Sequence, residues 1–258
     1  MNLNRLIFPS PEPSYTPESF LGEIIYIPRS FKPETEGLEE EQKFSASIFN
    51  SKPAPSHEAI PCLYLPYSHG SSKLMIYFHG NAEDIGLAYE LLDHLRNTLK
   101  LHVLAVEYPG YGIYGGTADA QRILEDARLV FDYLTLVVGH SASDIFLFGR
   151  SMGSGPATEL AAKRKPGALL LMSAYTSIRG VARSLAGKVS QYLIAERFKN
   201  IDHIRKVSCP TFLVHGQKDS LIPFQHSEEL HRNCGGPSSL LVPAEMDHNE
   251  FDFYDDLS

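Results

Sequence analysis

The chain has 258 residues, 43% of them hydrophobic and 21% charged, enough for one large domain with a closed core. Its formal charge of −8 with no basic run argues against nucleic acid and against electrostatic binding to an anionic membrane. The scattered, odd-numbered cysteines Cys62, Cys209 and Cys234 predict neither a disulfide framework nor a metal site, and they fit a reducing, cytoplasmic compartment. No apolar run reaches the roughly 18 residues of a membrane span, and no secretory signal or lipidation motif is expected: Met1-Asn2-Leu3-Asn4-Arg5 is polar, and prolines follow at once.

Residues 1–20 are proline-rich and read as an extended segment packed on the body, with 21–258 as a single domain. A first strand is expected over Gly22 to Pro28. Residues 29–57 are polar, carry Glu39-Glu40-Glu41 and read as a solvated loop, and His57 to Leu65 reads as a second, antiparallel strand. From Lys73 the pattern turns regular. Leu74 to Phe78 is a strand, followed by a helix with Ile85, Ala88, Leu91 and Leu95 on one face. Val103 to Val106 is the next strand, and its helix places Ala120, Leu124, Ala127, Phe131 and Leu134 together. Ile145 to Phe148 is a strand leading to a helix over Pro156 to Lys163, and Ala168 to Met172 is another strand. Residues 174–209 hold a helical stretch (Ile178, Val181, Leu185, Val189, Tyr192) that is a candidate cap or lid. A strand over Thr211 to Val214, a helix near Gln225 to Cys234 and a strand over Leu240 to Val242 complete the pattern. Eight strands, mostly continuous apolar runs alternating with amphipathic helices, predict an α/β fold: a mostly parallel eight-stranded sheet with helices on both faces.

In such a sheet, sites form beyond the C-terminal ends of the strands. His79, Glu107, Ser151, Asp219 and His248 all follow strand ends. Gly149-Arg150-Ser151-Met152-Gly153 fits Gly-x-Ser-x-Gly between a strand and a helix, the context of a nucleophile elbow, where the sharp turn exposes the serine hydroxyl and glycines avoid collision with the neighbouring elements. A serine hydroxyl needs a base to take its proton and a third group to orient that base. Asp219 and His248 supply them in the chain order of the α/β-hydrolase arrangement. Taken by itself Asp219 reads equally as a turn or helix-capping residue. Asp247 is an alternative acid, with a conformational role expected. His79 and His215 precede glycines in strand-exit turns and are expected to hold loops through ring hydrogen bonds.

The oxyanion donors are expected to be the backbone N–H of Met152 and that of Asn81, with Ala82 second. Tyr108, Tyr111 and Tyr114 either line a pocket or pack over the sheet end, and Arg150 either contacts substrate or forms a salt bridge on the elbow. The chemistry calls for no metal and no cofactor.

Set side by side, Phe78-His79-Gly80-Asn81-Ala82-Glu83-Asp84, Glu107-Tyr108-Pro109-Gly110-Tyr111-Gly112, the Ser151 elbow, His215-Gly216-Gln217-Lys218-Asp219 and Asp247-His248 resemble the α/β-hydrolase domain-containing 17 and 13 groups of serine hydrolases. The likeness runs over nearly the whole chain, including Arg5-Leu6-Ile7-Phe8-Pro9. It implies Ser151 as nucleophile, Asp219 as acid and His248 as base. Members of the 17 group are similar to acyl-protein thioesterases that remove palmitate from membrane-attached proteins, so the resemblance implies an S-palmitoylated protein as the acylated substrate, with a small or lipid ester as the alternative. That group carries a palmitoylated cysteine cluster near its N-terminus. Here the first cysteine is Cys62, so that anchor is not expected, which leaves either a cytoplasmic setting or a peripheral one at membranes. A monomeric enzyme is expected.

Overall fold

A computed structural model of the chain describes residues 8–20, 22–30, 58–187 and 196–250. Most of the loop expected over 29–57, part of the 174–209 segment, the start of the Arg5-to-Pro9 signature and the tail after 250 lie outside those residues. The chain divides into two compact units, Met1–Ile145 and Phe146–Ser258.

The first unit carries β1 (Ile24–Pro28), β2 (Ala59–Leu65), β3 (Leu74–Phe78) and β4 (His102–Val106), in the order β1-β2-β4-β3. β1 and β4 both run antiparallel to β2, whereas β3 and β4 are parallel. Every residue of β3 is buried, as its unbroken apolar run requires. Helix α1 spans Tyr89–Leu99, starting later than the apolar spacing predicts. Ile85 and Ala88 are buried in the turn before it, because Asp84 Oδ1 takes the N–H of Leu87 (3.0 Å) and Glu107 Oε2 that of Ile85 (3.4 Å). The buried residues of the helix are Leu91 and Leu92, and Leu95 is half-buried. Helix α2 (Ala120–Leu136) is capped by Asp119, whose Oδ1 accepts from Arg122 N at 3.1 Å. Ile123, not Leu124, points to its core side.

The second unit is an all-parallel set, β5 (Ile145–Arg150), β6 (Ala168–Met172), β7 (Thr211–Val214) and β8 (Ser238–Leu241), paired in that order. A 3₁₀ turn, Ser151–Gly153, leads directly into α3 (Ser154–Arg164). Helix α4 (Ile178–Ala186) is capped by Ser177, whose Oγ accepts from Gly180 N. The short α5 (Asn200–Ile204) has no periodic signature and was not expected; α6 spans Gln225–Arg232. β8 starts two residues earlier than its apolar residues indicate and alternates half-buried with exposed, the pattern of an edge strand. Among the described residues no helix is long and apolar enough to cross a membrane.

One buried network fixes the first unit. Glu107 Oε1 meets His79 Nε2 at 2.9 Å and accepts from Tyr108 N at 3.0 Å; its Oε2 accepts from Tyr15 Oη at 2.8 Å. Tyr15 belongs to the proline-rich segment, which is tied down again where Ser14 N and Oγ donate to Asp84 at 2.7 and 2.5 Å. Gly86 makes this seat possible, since a Cβ there would stand 2.8 Å from the Tyr15 ring. Burial alone would lower the His79 pKa, but hydrogen bonding and attraction from Glu107 outweigh it and raise it. A raised folded value means that the pair's stabilisation is complete below the unfolded value of about 6.5 and is lost as pH rises through the folded value. Glu107→Ala is expected to lower unfolding stability by about 3–5 kcal/mol, because it strands a buried partner. Denaturant titrations at several pH values should also find that the variant no longer loses stability as pH rises above the unfolded histidine value.

Candidate active site

β5 ends in a turn that forces Ser151 into the left-handed region, at φ 49°. That conformation costs a non-glycine residue about 1 kcal/mol, and it is maintained by the packing around it. A Cβ on Gly149 would stand 2.7 Å from the carbonyl carbon of Gly153 and from Ser154 Cα, so β5 and the start of α3 come together only over a glycine. Helix α3 is covered next, where Phe198 lies on Gly155.

Asp219 follows β7 and His248 follows β8, neighbouring parallel strands whose C-terminal ends share a rim. His248 Nδ1 lies 2.7 Å from Asp219 Oδ2, and His248 Nε2 lies 3.0 Å from Ser151 Oγ. All three residues are buried, with 5–8% of their surface exposed. The loops that carry the acid and the imidazole are stitched together. Gln217 N donates to Pro243 O at 2.9 Å and Lys218 N to Met246 O at 3.1 Å. Asp247 Oδ1 accepts from Ser220 N (3.1 Å) and His248 N (2.6 Å), which gives Asp247 a conformational part. Gly216 is required where the Met246 backbone passes, since a Cβ would meet its carbonyl carbon at 2.5 Å. Arg150 braces the same loop: Nη2 donates to His248 O at 3.2 Å and to Asn249 Oδ1 at 3.0 Å.

The Asp219 carboxylate is fully engaged. Oδ1 accepts from Leu221 N (3.0 Å) and Ile222 N (2.7 Å), while Oδ2 faces both His248 and His215. Burial pushes its pKa up, but the hydrogen bonds from His215, His248 and Ile222 outweigh burial and hold it well below the usual carboxylate range. The acid therefore stays ionised wherever an imidazole titrates. An ionised carboxylate on Nδ1 fixes the tautomer that leaves Nε2 free to take a hydroxyl proton, so the arrangement can turn Ser151 into a nucleophile.

The family model of serine aminopeptidase, S33 (Hydrolase_4), matches residues 70–203, just over half of the chain. The chain belongs to that family. The match contains Ser151 and ends before Asp219 and His248. The alpha/beta hydrolase domain-containing protein 17B of Homo sapiens is 27% identical over 195 residues, covering 76% of this chain and 67% of that protein. Protein 17C of Xenopus laevis is equally identical, and the alignment spans 61% of its length. The alpha/beta hydrolase domain-containing protein aho-3 of Caenorhabditis elegans is 28% identical over 98% of this chain and 74% of its own. Among solved structures, an esterase of Pyrococcus furiosus superposes with a TM-score of 0.64 at 15% identity, covering 93% of this chain and 87% of that one. The ferulic acid-bound Est1E of Butyrivibrio proteoclasticus gives 0.59 at 19%, covering 74% and 87%. The fold is that of the α/β hydrolases, and the protein is a hydrolase.

Met152, next to the nucleophile, is buried, and its carbonyl accepts from Tyr175 Oη at 3.2 Å. Asn81 is exposed in the turn after β3, where its Oδ1 accepts from Tyr111 Oη at 2.7 Å and from Ala82 N at 3.1 Å. Tyr108, Tyr111 and Tyr114 are buried in the first unit. Tyr108 stacks on the His79 ring with 3.9 Å between centroids, and Tyr114 Oη donates to Asp126 while its residue borders a cavity of about 340 Å³ with Pro109 and Asp119. Both strand-exit histidines are bound at each ring nitrogen, His79 to Gly80 O and Glu107, and His215 to Ser227 Oγ and Ile222 O. The cysteines are free, and burial raises the thiol pKa of both Cys62 and Cys209, the latter to about 11. Sequence reasoning missed a tether behind the elbow. Asn200 Nδ2 donates to Ser154 Oγ and to Tyr175 O, each at 2.9 Å, and no spacing in the chain announces it. Gly149→Ala is expected to cost about 3 kcal/mol, because the new methyl meets backbone that cannot rotate away. A thermal melt checks this, and a variant that melts with the wild type would contradict the close approach.

Proposed function

We propose that this protein is a serine hydrolase that cleaves an ester or thioester through an acyl-enzyme on Ser151. The contact chain Ser151–His248–Asp219, at 3.0 and 2.7 Å, carries the reading. Ser151 Oγ attacks the acyl carbonyl carbon while His248 Nε2 takes its proton. The oxyanion is received by the N–H of Met152 and that of Asn81, with Ala82 as the second candidate, each donor contributing about 3 kcal/mol. The intermediate collapses, His248 protonates the departing thiol or alcohol, and water repeats the sequence to free the acid. No metal or cofactor takes part in these steps.

An acyl-protein thioesterase acting on S-palmitoylated protein is the substrate reading favoured by the kinship with the 17B, 17C and aho-3 proteins. A carboxylesterase acting on small or lipid esters is the second, favoured by the likeness to solved esterases. The cytoplasm, with the enzyme as a monomer, is the setting proposed for either.

A fluorophosphonate probe should label the protein, and Ser151→Ala should abolish labelling and cut turnover by up to roughly 10⁶-fold. Labelling that survives in Ser151→Ala defeats the nucleophile assignment. Turnover of palmitoyl-thioester peptides well above that of short-chain nitrophenyl esters is the expected ranking; indifference to thioesters leaves the carboxylesterase.

A further inference from the structure

Asp219 Oδ2 lies within 3.1 Å of nitrogens from two imidazoles, and only one of those rings faces Ser151. The other, His215, is completely buried, and its Nε2 stands 3.1 Å from Oδ2 and 2.7 Å from the carbonyl oxygen of Ile222. Both of these oxygens are pure acceptors, so Nε2 carries a hydrogen whatever the protonation state of the ring. The tautomer ambiguity that attends most histidines is absent at this atom. The remaining nitrogen, Nδ1, lies 2.6 Å from Ser227 Oγ, which can either donate to it or accept from it. Nε2 has a single hydrogen, shared between Ile222 O at 2.7 Å and Asp219 Oδ2 at 3.1 Å, and the ring is seated through Ser227 on α6.

The same contacts close a ring around the acid. Ile222 gives its N–H to Asp219 Oδ1 at 2.7 Å and takes the His215 proton on its carbonyl. The carboxylate is thus locked in plane and in rotation, with one lone-pair direction of Oδ2 left for His248. We infer that His215 is a positioning residue for the proposed reaction: it holds the Asp219 carboxylate in the ionised form and limits how strongly Oδ2 attracts the His248 proton. This rests on the Ser151 reading and specifies how its base is tuned.

The physical argument concerns a shared oxygen. A donor on Oδ2 drains negative charge from the atom that stabilises the His248 imidazolium. Removing that donor makes Oδ2 more basic, so His248 should hold its proton to higher pH. The other charged or titratable groups nearby are His226 on α6, Asp247 in the loop before His248, and Arg150 against the His248 carbonyl. His226 has its pKa lowered by burial first and by His215 second, which places it close enough to feel the same substitution.

The test compares His215→Phe with His215→Gln, which retains a side-chain N–H donor, on the full chain. The readout is the acid limb of kcat/KM against pH, measured with a nitrophenyl ester. His215→Phe should lower kcat by about tenfold or more and move the acid limb to higher pH, and His215→Gln should recover part of both. His226→Gln in the wild-type background should leave the limb in place, which separates His226 from the effect. Ser227→Ala, which loosens the seat of the ring and keeps its Nε2–H, should lower the melting temperature with a smaller change in the limb. If His215→Phe melts lower but keeps the wild-type limb, or if Gln behaves as Phe does, His215 is structural only and the inference fails. Should His215→Phe not fold, His215→Gln and Ser227→Ala decide: an acid limb unmoved in both overturns the inference. Fluorophosphonate labelling of each variant keeps the outcomes apart, because loss of Ser151-dependent labelling in the wild type sinks the hydrolase reading, whereas an unmoved limb with labelling intact sinks only the role of His215.

Discussion

Everything in the second unit follows from how closely β5 and α3 approach at Gly149. The absence of a side chain there lets the chain reverse within one 3₁₀ turn, and the reversal holds Ser151 at φ 49°. A wider turn would relieve the serine and withdraw its hydroxyl from His248. The strain is small beside the burial around it: Ser151, Met152, Ser154 and Gly155 are all buried, and Phe198 covers the helix start. The alcohol is thus placed by backbone geometry, and the imidazole is brought to it by loops tied to one another.

Those loops show why the acid and the base need not be neighbours in sequence. Parallel pairing of β7 with β8 sets Asp219 and His248 at one rim, but strand pairing alone leaves loop positions open by several ångströms. Asp247 removes that freedom by bonding at once to Ser220 N on the acid's loop and to the N–H of His248. Arg150 then reaches from the residue before the nucleophile to the His248 carbonyl. All three elements of the contact chain are therefore cross-braced through backbone, and the side chains inherit their positions from it.

How far the chain could be read in advance depended on whether the determining contacts were local. β3, β6 and β7 begin and end where the pattern sets them; β3 is buried at every residue, whereas Leu170 of β6 is half-buried and Phe212 of β7 exposed, so it is the continuity of the run that marks these strands. The elbow was legible for a local reason too, since a strand and helix that approach this closely demand glycine at a fixed offset. The start of α1 was not legible: Asp84 and Glu107 capture the N–H groups before Tyr89, and Glu107 comes from another strand end. Ile123 takes the core place expected of Leu124 because an apolar residue stands both three and four positions after Ala120, and the helical period admits either spacing. The part played by Arg150 was open for the same reason as Asn200 was invisible, as their partners lie 98 and 46 positions away.

His79 and His215 look alike in sequence, each leaving a strand before a glycine, and each bonds a carboxylate through Nε2. Their second nitrogens separate them. His79 Nδ1 faces the carbonyl of Gly80 at 2.8 Å, so both of its nitrogens point at acceptors and the ring is held as a cation. Its raised pKa agrees with that, and Glu107, which takes only donors, is its counter-ion. His215 Nδ1 instead meets the hydroxyl of Ser227, which can either donate or accept. The two motifs thus share a sequence pattern and part at Nδ1, which meets a carbonyl that can only accept in the first unit and a hydroxyl that can also donate in the second.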